Sequence, residues 1–317
     1  MKKIFFFFIL HFTFLSRRSN ILLAVLCVGG LLFTFLPWCI PGSFLPADTH
    51  IPPGDVSGTW TIYGSPYIVD GFVTVPVDST LIIEPSVFVI FSTNNGLQIE
   101  GRLLSEGTEN DSITFTVQDS SNNTGLGFYH TDITNQDSSK ITYSIFEHVS
   151  VCFDKSSNIL FRKSSVSKCV GWSGVFFDEN SSPRLIDITI SNNTTEYYGG
   201  GLYCTDYSNP SLVNVTISGN SATCGGGISC RFNSNPTLEN VNIINNSAIG
   251  AGGGIFCEES NPILNYVDII ENHVSNGIGG GIHFDENSNP EISNVNIENN
   301  SAYWGGGIGC TNSSPVL

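Results

Sequence analysis

The second half of the chain repeats itself at a nearly constant interval. Five tracts of three glycines begin 26, 27, 27 and 26 residues apart, and a proline and an asparagine recur between them. The tracts begin at Gly199, Gly225, Gly252, Gly279 and Gly305. A fixed period of this length is typical of a solenoid, in which each repeat forms one coil that packs only on its neighbours. The period therefore restricts the fold to a stack of similar coils.

Each repeat contains three short runs in which apolar and polar residues alternate. The consensus is Asn-Pro-x-Leu-x-Asn-Val-x-Ile-x-x-Asn-x-Ala, followed by a variable segment and Gly-Gly-Gly-Ile-x-Cys. Alternation with period two indicates strands. Such short strands cannot form a sheet alone, but each can pair in parallel with its equivalent in the next coil, about 4.8 Å away. We predict an all-β fold, a right-handed parallel β-helix (a three-sheet β-solenoid) with coils of about 26 residues.

Equivalent positions of the repeat predict the core, the corners and the turns. Two apolar columns should point inward: Leu185, Leu212, Leu238, Leu264 and Ile292, and Ile188, Val215, Val241, Val267 and Val295. Glycine supplies corners of positive φ without a steric penalty. The recurring asparagine, for example Asn246, is expected to cap a turn through amide hydrogen bonds between coils. The segment between this asparagine and the glycines varies in length and is predicted to be a surface turn.

Three regions differ in regularity. Residues 1–47 contain two apolar runs, each preceded by basic residues, which is typical of an export signal. The alternative is an uncleaved N-terminal membrane anchor. Residues 48–137 are predicted to form an N-terminal cap and the first irregular coils. Residues 138–317 are predicted to form the regular β-helix repeats.

The two ends of the predicted stack leave strand edges to be covered. Residues 80–85 and 87–91 are predicted to be paired strands that cap the N-terminal end. At the other end, residues 314–317 begin another Pro-x-Leu run. We therefore expect repeats that are truncated at the C-terminus, with end-to-end self-association through the open end.

The charge balance excludes several kinds of partner. The chain has 12 Lys and Arg residues against 28 Asp and Glu residues, a formal net charge of −16. Nucleic-acid binding requires Lys and Arg to neutralise phosphates, so we expect no nucleic-acid partner. An anionic membrane surface is an equally poor partner. Membrane contact is therefore expected only through the N-terminal segment.

The repeat resembles that of the chlamydial polymorphic outer-membrane proteins. The most similar stretch is residues 220–228, Asn-Ser-Ala-Thr-Cys-Gly-Gly-Gly-Ile. Ile-x-x-Asn and Gly-Gly-Gly-Ile stand where that family has Phe-x-x-Asn and Gly-Gly-Ala-Ile. Residues 101–115 and 139–147 resemble the first part of large bacterial right-handed β-helix surface proteins. The resemblance implies an exported protein, secreted or at the cell surface or outer membrane, and often adhesive.

Cysteines occupy one column of the repeat, two residues after the isoleucine that follows the glycines. The column contains Cys204, Cys230, Cys257 and Cys310, with Phe177 and Phe284 in the same place. A position that accepts Phe or Cys is an inward apolar site. We therefore predict buried, reduced thiols that react only after denaturation. Neither interleaved His residues nor a Cys-x-x-Cys motif accompanies the column, so we predict no metal site.

Acidic residues precede the proline in successive coils. They are Asp178, Glu179, Asp206, Glu258, Glu259, Asp285 and Glu286, and Arg231 interrupts the column. Stacked carboxylates repel one another, and Ca²⁺ could relieve that repulsion. The preferred interpretation is an ordinary solvated acidic edge with no cofactor, and Ca²⁺ binding is the alternative.

The residue between the isoleucine that follows the glycines and the cysteine column should point outward. Successive coils place there Phe176, Tyr203, Ser229, Phe256, His283 and Gly309, a set that we call the aromatic strip. Exposed rings in a row on a flat sheet suggest a binding surface, and sugar rings stack on such surfaces. The candidate ligand-binding residues are Phe176, Tyr203, Phe256 and His283. The expected partner is a carbohydrate or another cell surface, with neutral glycans preferred.

Other interpretations of the same residues remain open. The aromatic strip could consist of scattered surface aromatics, or a turn could cover it. The ligand site could instead lie in the variable turns near Trp172, Tyr197, Tyr198 and Trp304.

No catalytic constellation emerges from the sequence. β-Helix enzymes that act on polysaccharides need paired acids on one face or an Arg base beside Ca²⁺. The polygalacturonase-like signatures Gly-His-Gly and Arg-Ile-Lys do not occur, and no Ser-His-Asp set can be placed. We therefore expect a non-enzymatic, exported cell-surface or secreted protein that is adhesive or structural and able to bind glycans. The alternative is a polysaccharide lyase or hydrolase on a pectate-lyase-like β-helix.

Overall fold

The computed structural model describes residues 26–28, 31–33, 48–92, 96–120, 124–129, 138–156 and 159–316. The chain divides into two compact units, residues 1–45 and 46–317. In the first unit, Leu26–Val28 and Leu31–Phe33 form an antiparallel strand pair. The rest of the predicted export signal or anchor, residues 1–47, lies outside the described residues. No helix in the described part has the length and apolarity that a membrane span requires.

The second unit is a right-handed parallel β-helix, which confirms the predicted fold. Its described strands lie in three sheets of seventeen, eleven and three strands. Neighbouring coils pair in parallel throughout this unit, with about 26 residues per turn. The single helical segment among the described residues is the short 3-10 turn Ile62–Gly64.

The seventeen-stranded sheet carries the two runs that follow the proline. Its strands are Thr49–Ile51, Gly58–Trp60, Tyr67–Val69, Thr80–Ile83, Phe88–Phe91, Arg102–Glu106, Ile113–Val117, Ser139–Thr142, Ser144–Glu147, Ile159–Arg162, Ser165–Ser167, Arg184–Ile186, Thr189–Ser191, Ser211–Ser218, Thr237–Ile244, Ile263–Ile270 and Ile292–Glu298. In the strand Ser211–Ser218, Asn214 has a φ of 55° and bends the chain, while pairing continues on both sides of it. The two runs, predicted as separate sheets, therefore belong to one.

The eleven-stranded sheet carries the run that follows the glycines. Its strands are Gly54–Asp55, Val73–Val75, Gly96–Ile99, Thr124–Tyr129, Val149–Asp154, Val175–Asp178, Leu202–Cys204, Ile228–Arg231, Ile255–Glu258, Ile282–Asp285 and Ile308–Cys310. The three-stranded sheet comprises Ser221–Cys224, Ser247–Ala251 and His273–Val274, in the segment predicted as a surface turn. That prediction is wrong for these three coils, because the chain there is extended and pairs with its neighbours.

The coils before residue 138 follow the same plan with less regular sequences. Thr80–Ile83 pairs with Arg102–Glu106, and Phe88–Phe91 pairs with Ile113–Val117. Residues 80–85 and 87–91 were predicted to pair with each other. That prediction is wrong, because each of these strands pairs with a strand of the next coil. The chain turns between them at Ser86, which has a φ of 64°, so they occupy two faces of one coil.

The inward columns form one continuous core. Leu185, Leu212, Leu238 and Leu264 are buried in register, and Ile292 in the last such strand is half-buried. The column of Ile188, Val215, Val241, Val267 and Val295 behaves in the same way. Both predicted columns are therefore confirmed. In the eleven-stranded sheet, the rings of Phe128, Phe153 and Phe177 stack with centroids 5.2 Å apart.

The cysteine column continues this stack of phenylalanines. Cys204, Cys230 and Cys257 are free thiols in register, each at most 1% exposed. Burial raises the pKa of Cys204 and of Cys257 well above the ordinary thiol value. Cys310 is also free but exposed, and among the described strands its own strand pairs with Ile282–Asp285 alone. The prediction of a buried thiol is therefore wrong for Cys310.

Two ladders of polar side chains hold the turns together. In the asparagine ladder, each Nδ2 and each backbone N–H donates to the Oδ1 of the next coil at 2.8–3.0 Å. Its members are Asn193, Asn220, Asn246, Asn272 and Asn300, which confirms the predicted cap. In the serine ladder, each backbone N–H donates to the Oγ of the next coil at 3.1–3.2 Å. Its members are Ser156, Ser181, Ser208, Ser234, Ser260, Ser288 and Ser313, none of which the sequence analysis singled out.

Candidate functional site

The aromatic strip lies on the outer face of the eleven-stranded sheet. Parallel pairing sets its members in register in the order Phe176, Tyr203, Ser229, Phe256, His283. They are not equally accessible, because Phe176 and Tyr203 are half-buried, whereas Phe256 is 5% and His283 3% exposed. The expected row of accessible rings is therefore limited to the first two coils of the strip.

The ring of Tyr198 covers the middle of the strip. Its centroid lies 5.9 Å from that of Tyr203 and 6.1 Å from that of Phe256. It therefore fills the notch left by the small side chain of Ser229. Phe176 stacks on Tyr203 with centroids 5.3 Å apart, so the rings form one continuous stack. Tyr198 thus occupies part of the surface on which sugar rings were expected to stack.

Arg231 fixes this cover from its own strand. Its guanidinium lies 4.0 Å from the centroid of the Tyr198 ring and forms an ion pair with Glu258 of the next coil. A partly desolvated cation–π contact of this kind contributes about 1–2 kcal/mol. The ion pair also gives a structural reason for a basic residue in the acidic column. The covered part of the strip is therefore closed by specific contacts.

A groove of about 500 Å³ opens on the same face, immediately before the strip. In register with the strip, the preceding coils carry Gln98, Gly127 and Cys152 instead of aromatic rings. A Cβ at Gly127 would lie 2.4 Å from the ring of Tyr129, so only glycine lets that ring lie across the strand. The small residues Gly127 and Cys152 lower the floor of the groove, and Phe176 lines its end.

Two walls of different chemistry flank this floor. Phe72 and Trp172 precede their strands and are 56% and 60% exposed. Tyr129, Asp154 and Asp178 end three successive strands and are in register. Since the strands are parallel, residues before them lie at one edge of the sheet and residues at their ends lie at the other. The groove therefore has an aromatic wall and a facing wall that contains two carboxylates.

Burial in the groove shifts the ionisation of the second wall. It raises the pKa of Asp178, and the charges of Asp206 and Asp154 add to this effect. The backbone N–H of Glu179 donates to Asp178 Oδ1 at 2.9 Å and opposes the shift. Burial also raises the pKa of Cys152 to about 12. The Cys152 thiol is therefore protonated at neutral pH and is a poor nucleophile.

Cations near the acidic edge are paired with carboxylates outside the groove. Lys155 forms an ion pair with Glu179, as Arg231 does with Glu258. No Lys, Arg or His is among the described residues that line the groove. The described residues also contain no cluster of three or more His, Cys, Asp or Glu that could hold a metal ion. The groove therefore presents aromatic faces and negative charge.

The groove does not follow from the regular repeat, because most of its lining belongs to the irregular coils. A signal was present in the strand Thr124–Tyr129, where Gly125 and Gly127 occupy alternate positions. Glycine inside a strand often marks a place where a ligand approaches the backbone closely. Of the four turn residues that were considered, Trp172 lines the groove and Tyr198 covers the strip.

Comparison with known proteins agrees with this fold. Residues 149–317, more than half of the chain, match the family described as "Right handed beta helix region". These residues carry the regular coils and part of the groove. No curated protein and no solved structure matches the chain. The function of the groove must therefore be argued from its own residues.

Proposed function

The chain belongs to the right-handed beta helix family, and on this scaffold we propose an exported protein that binds glycans in the groove of the eleven-stranded sheet. The observation that carries the proposal is the combination of aromatic rings and carboxylates across a floor lowered by Gly127 and Cys152. Trp172 and Phe176 offer faces on which sugar rings stack. Asp154 and Asp178 offer acceptors for sugar hydroxyl groups.

The dimensions of the groove suit an extended oligosaccharide. It crosses five neighbouring strands, from Val73–Val75 to Val175–Asp178. At about 4.8 Å per coil, these strands span about 19 Å along the axis, which is room for several sugar rings. The ligand would therefore make many weak contacts rather than a few strong ones.

The charge of the groove argues against acidic glycans. Its described lining contains two carboxylates and no basic side chain, and the chain as a whole has a formal net charge of −16. A uronic acid or sulfated sugar would bring like charge into a partly desolvated site, which is unfavourable. Neutral or cationic sugars are therefore the favoured ligands.

Export and adhesion form the biological part of the proposal. Basic residues precede the apolar runs of residues 1–47, which favours export. The resemblance to bacterial β-helix surface proteins favours a role in contact with glycans of another cell surface. Such a role requires binding but no catalysis.

Removal of the aromatic rings tests the proposed site. Trp172→Ala and Phe176→Ala are each expected to raise the Kd for a bound oligosaccharide about fivefold, because each stacking contact contributes about 1 kcal/mol. The matched control is Trp304→Ala, since Trp304 is an exposed turn residue that does not line the groove. A glycan array identifies the oligosaccharide, and titration calorimetry measures the Kd. Binding that survives the double groove variant but is lost in Trp304→Ala would place the site elsewhere.

Polysaccharide hydrolysis is a second candidate, favoured by the register of the two carboxylates. Asp154 and Asp178 pair across adjacent coils, about 4.8 Å apart in the backbone. Retaining glycosidases hold their two carboxyl groups about 5 Å apart, and a raised pKa such as that of Asp178 suits a general acid. Release of reducing ends by the wild type, abolished by Asp178→Asn, would support hydrolysis over binding alone.

A further inference from the structure

Neither carboxylate of the groove forms an ion pair with a cation among the described residues, although both interact with the more distant charge of Lys155. Asp154 and Asp178 lie side by side in adjacent coils. The ammonium of Lys155, the next residue after Asp154, pairs with Glu179, which does not line the groove. Two negative charges therefore face the groove without a direct ion pair from the protein.

One oxygen of the Asp154 carboxylate also lacks a hydrogen-bond donor. Asp154 Oδ1 is buried and has no hydrogen-bond partner in the described part of the chain. Asp178 Oδ1 receives one hydrogen bond, from the backbone N–H of Glu179. A buried acceptor without a donor costs about 1–3 kcal/mol, and more when it is charged. The described residues therefore satisfy these two carboxylates only in part.

The aromatic wall opposite the carboxylates can bind a cation as well as the face of a sugar ring. Ammonium groups are attracted to the faces of aromatic rings, most strongly to that of tryptophan. Trp172 and Phe72 supply exposed rings on this wall, and Phe176 lines the end of the groove. A ligand with apolar ring faces and ammonium groups would interact favourably with both walls. A sugar with hydroxyl groups alone leaves the two carboxylates without a direct ion pair.

We propose that the groove selects glycans of amino sugars with free ammonium groups, such as β-1,4-linked glucosamine oligomers, over neutral and N-acetylated ones. This inference rests on the proposed glycan-binding function and names its ligand class. An ammonium group in the groove lies beside the carboxylates of Asp154 and Asp178 and offsets their negative charges. The sugar faces lie on Trp172 and Phe176. Acetylation of the amine removes the charge and therefore the preference.

Calorimetric titration of the full chain with three tetrasaccharides of one linkage tests this preference. The tetrasaccharides are those of glucosamine, N-acetylglucosamine and glucose. A hydrogen bond to a charged group contributes about 1.5–3 kcal/mol, so the glucosamine tetramer is expected to bind about ten- to a hundredfold more tightly than the other two. Added salt should weaken this advantage.

The outcomes separate the inference from the function on which it rests. Equal affinities, or tighter binding of a neutral tetramer, overturn the amino-sugar inference and leave glycan binding intact. If none of the three tetramers binds, both the inference and the proposed function fail. Tighter binding of the glucosamine tetramer supports both.

Charge-removing variants locate the selectivity. Asp154→Asn and Asp178→Asn preserve side-chain size, and each is expected to weaken glucosamine-tetramer binding about tenfold. Glucose-tetramer binding should weaken less, because the amide oxygen of asparagine still accepts a hydrogen bond from a sugar hydroxyl group. Asp285→Asn is the matched control, because Asp285 ends an equivalent strand of the same sheet outside the groove. Thermal unfolding checks that each variant is folded. Should both groove variants keep the wild-type preference, these carboxylates do not select the ligand and the inference fails.

Discussion

At the scale of the residue, the asparagine ladder uses one side chain for several hydrogen bonds. Asn246 Nδ2 donates to Asn272 Oδ1 and to the backbone oxygen of Ile217, both at 3.0 Å. Its own Oδ1 accepts from the backbone N–H and the Nδ2 of Asn220, at 3.0 and 2.9 Å. The amide is fully buried. No smaller or apolar side chain can replace these interactions, since each lost partner leaves a buried polar group unsatisfied.

Substitution of this amide should be severe. Asn246→Ala leaves the two donors of Asn220 without their acceptor, so we expect the free energy of unfolding to fall by about 3 kcal/mol. Asn242→Ala is the control, because Asn242 is an outward residue of a strand in the same coil. It should change the free energy of unfolding by less than about 0.5 kcal/mol. Urea denaturation measures both, and equal effects of the two substitutions would contradict the structural role of the ladder.

His283 makes the stability of the last coils depend on pH. It is 3% exposed, and its Nδ1 has no hydrogen-bond partner among the described residues. Burial lowers the pKa of His283 below its ordinary 6.5, although Asp285 opposes the shift. The folded state therefore favours the neutral imidazole. This contribution to stability is present above the unfolded pKa and is lost as pH falls through the folded pKa.

Replacement of His283 by an aromatic residue that cannot titrate tests this dependence. We expect His283→Phe to lose less thermal stability than the wild type between about pH 7.5 and about pH 5. The position accepts such a ring, because Phe256 occupies the equivalent position of the preceding coil and its ring stacks on that of His283. The control is His273→Gln, at an exposed histidine. Identical pH profiles for the wild type and His283→Phe would show that this imidazole is not responsible.

At the scale of the element, the glycine tracts allow coils to approach closely. A Cβ at Gly253 would lie 2.4 Å from the backbone oxygen of Gly280 in the next coil, a distance that no real contact tolerates. A Cβ at Gly250 would meet no atom closer than 3.5 Å. The tract therefore needs glycine for space, whereas the nearby glycine does not.

This difference predicts a large effect on stability for one glycine-to-alanine substitution and a small effect for the other. Gly253→Ala forces the backbones of two coils apart, and we expect the free energy of unfolding to fall by about 3 kcal/mol. Gly250→Ala should change it by less than about 1 kcal/mol, in either direction. Urea denaturation of both variants is the measurement. If Gly253→Ala proves as mild as Gly250→Ala, the two coils do not approach each other as closely as described.

The strands could be predicted from the sequence because their alternation is regular. The inward columns and the ladder of amides follow directly from equivalent positions in the repeat. Two features could not be predicted in this way. Asn214 bends a strand without ending it, so two runs share one sheet. The third sheet forms in a segment of variable length, where no fixed spacing reveals the pairing.

At the scale of the whole molecule, the sequence predicted the face that carries the candidate site but not the place on it. Register alone put the aromatic strip on the outside of one sheet. Whether a ring is accessible depends on tertiary contacts, and Tyr198 reaches the strip from a turn. The groove arises where irregular coils with outward glycines meet the first ring of the strip, Phe176. The difference between two halves of the solenoid therefore creates the site.

A crystal structure of the protein with a bound tetrasaccharide tests the central claim most directly. Crystals soaked separately with the glucosamine and glucose tetramers would show where each sugar lies. We predict density along the outer face of the eleven-stranded sheet, with rings against Trp172 and Phe176 and, for the glucosamine tetramer, an amine beside the carboxylates of Asp154 and Asp178. Density confined to the turn at Tyr303 and Trp304, with the groove empty, would contradict the assignment of the groove as the glycan site.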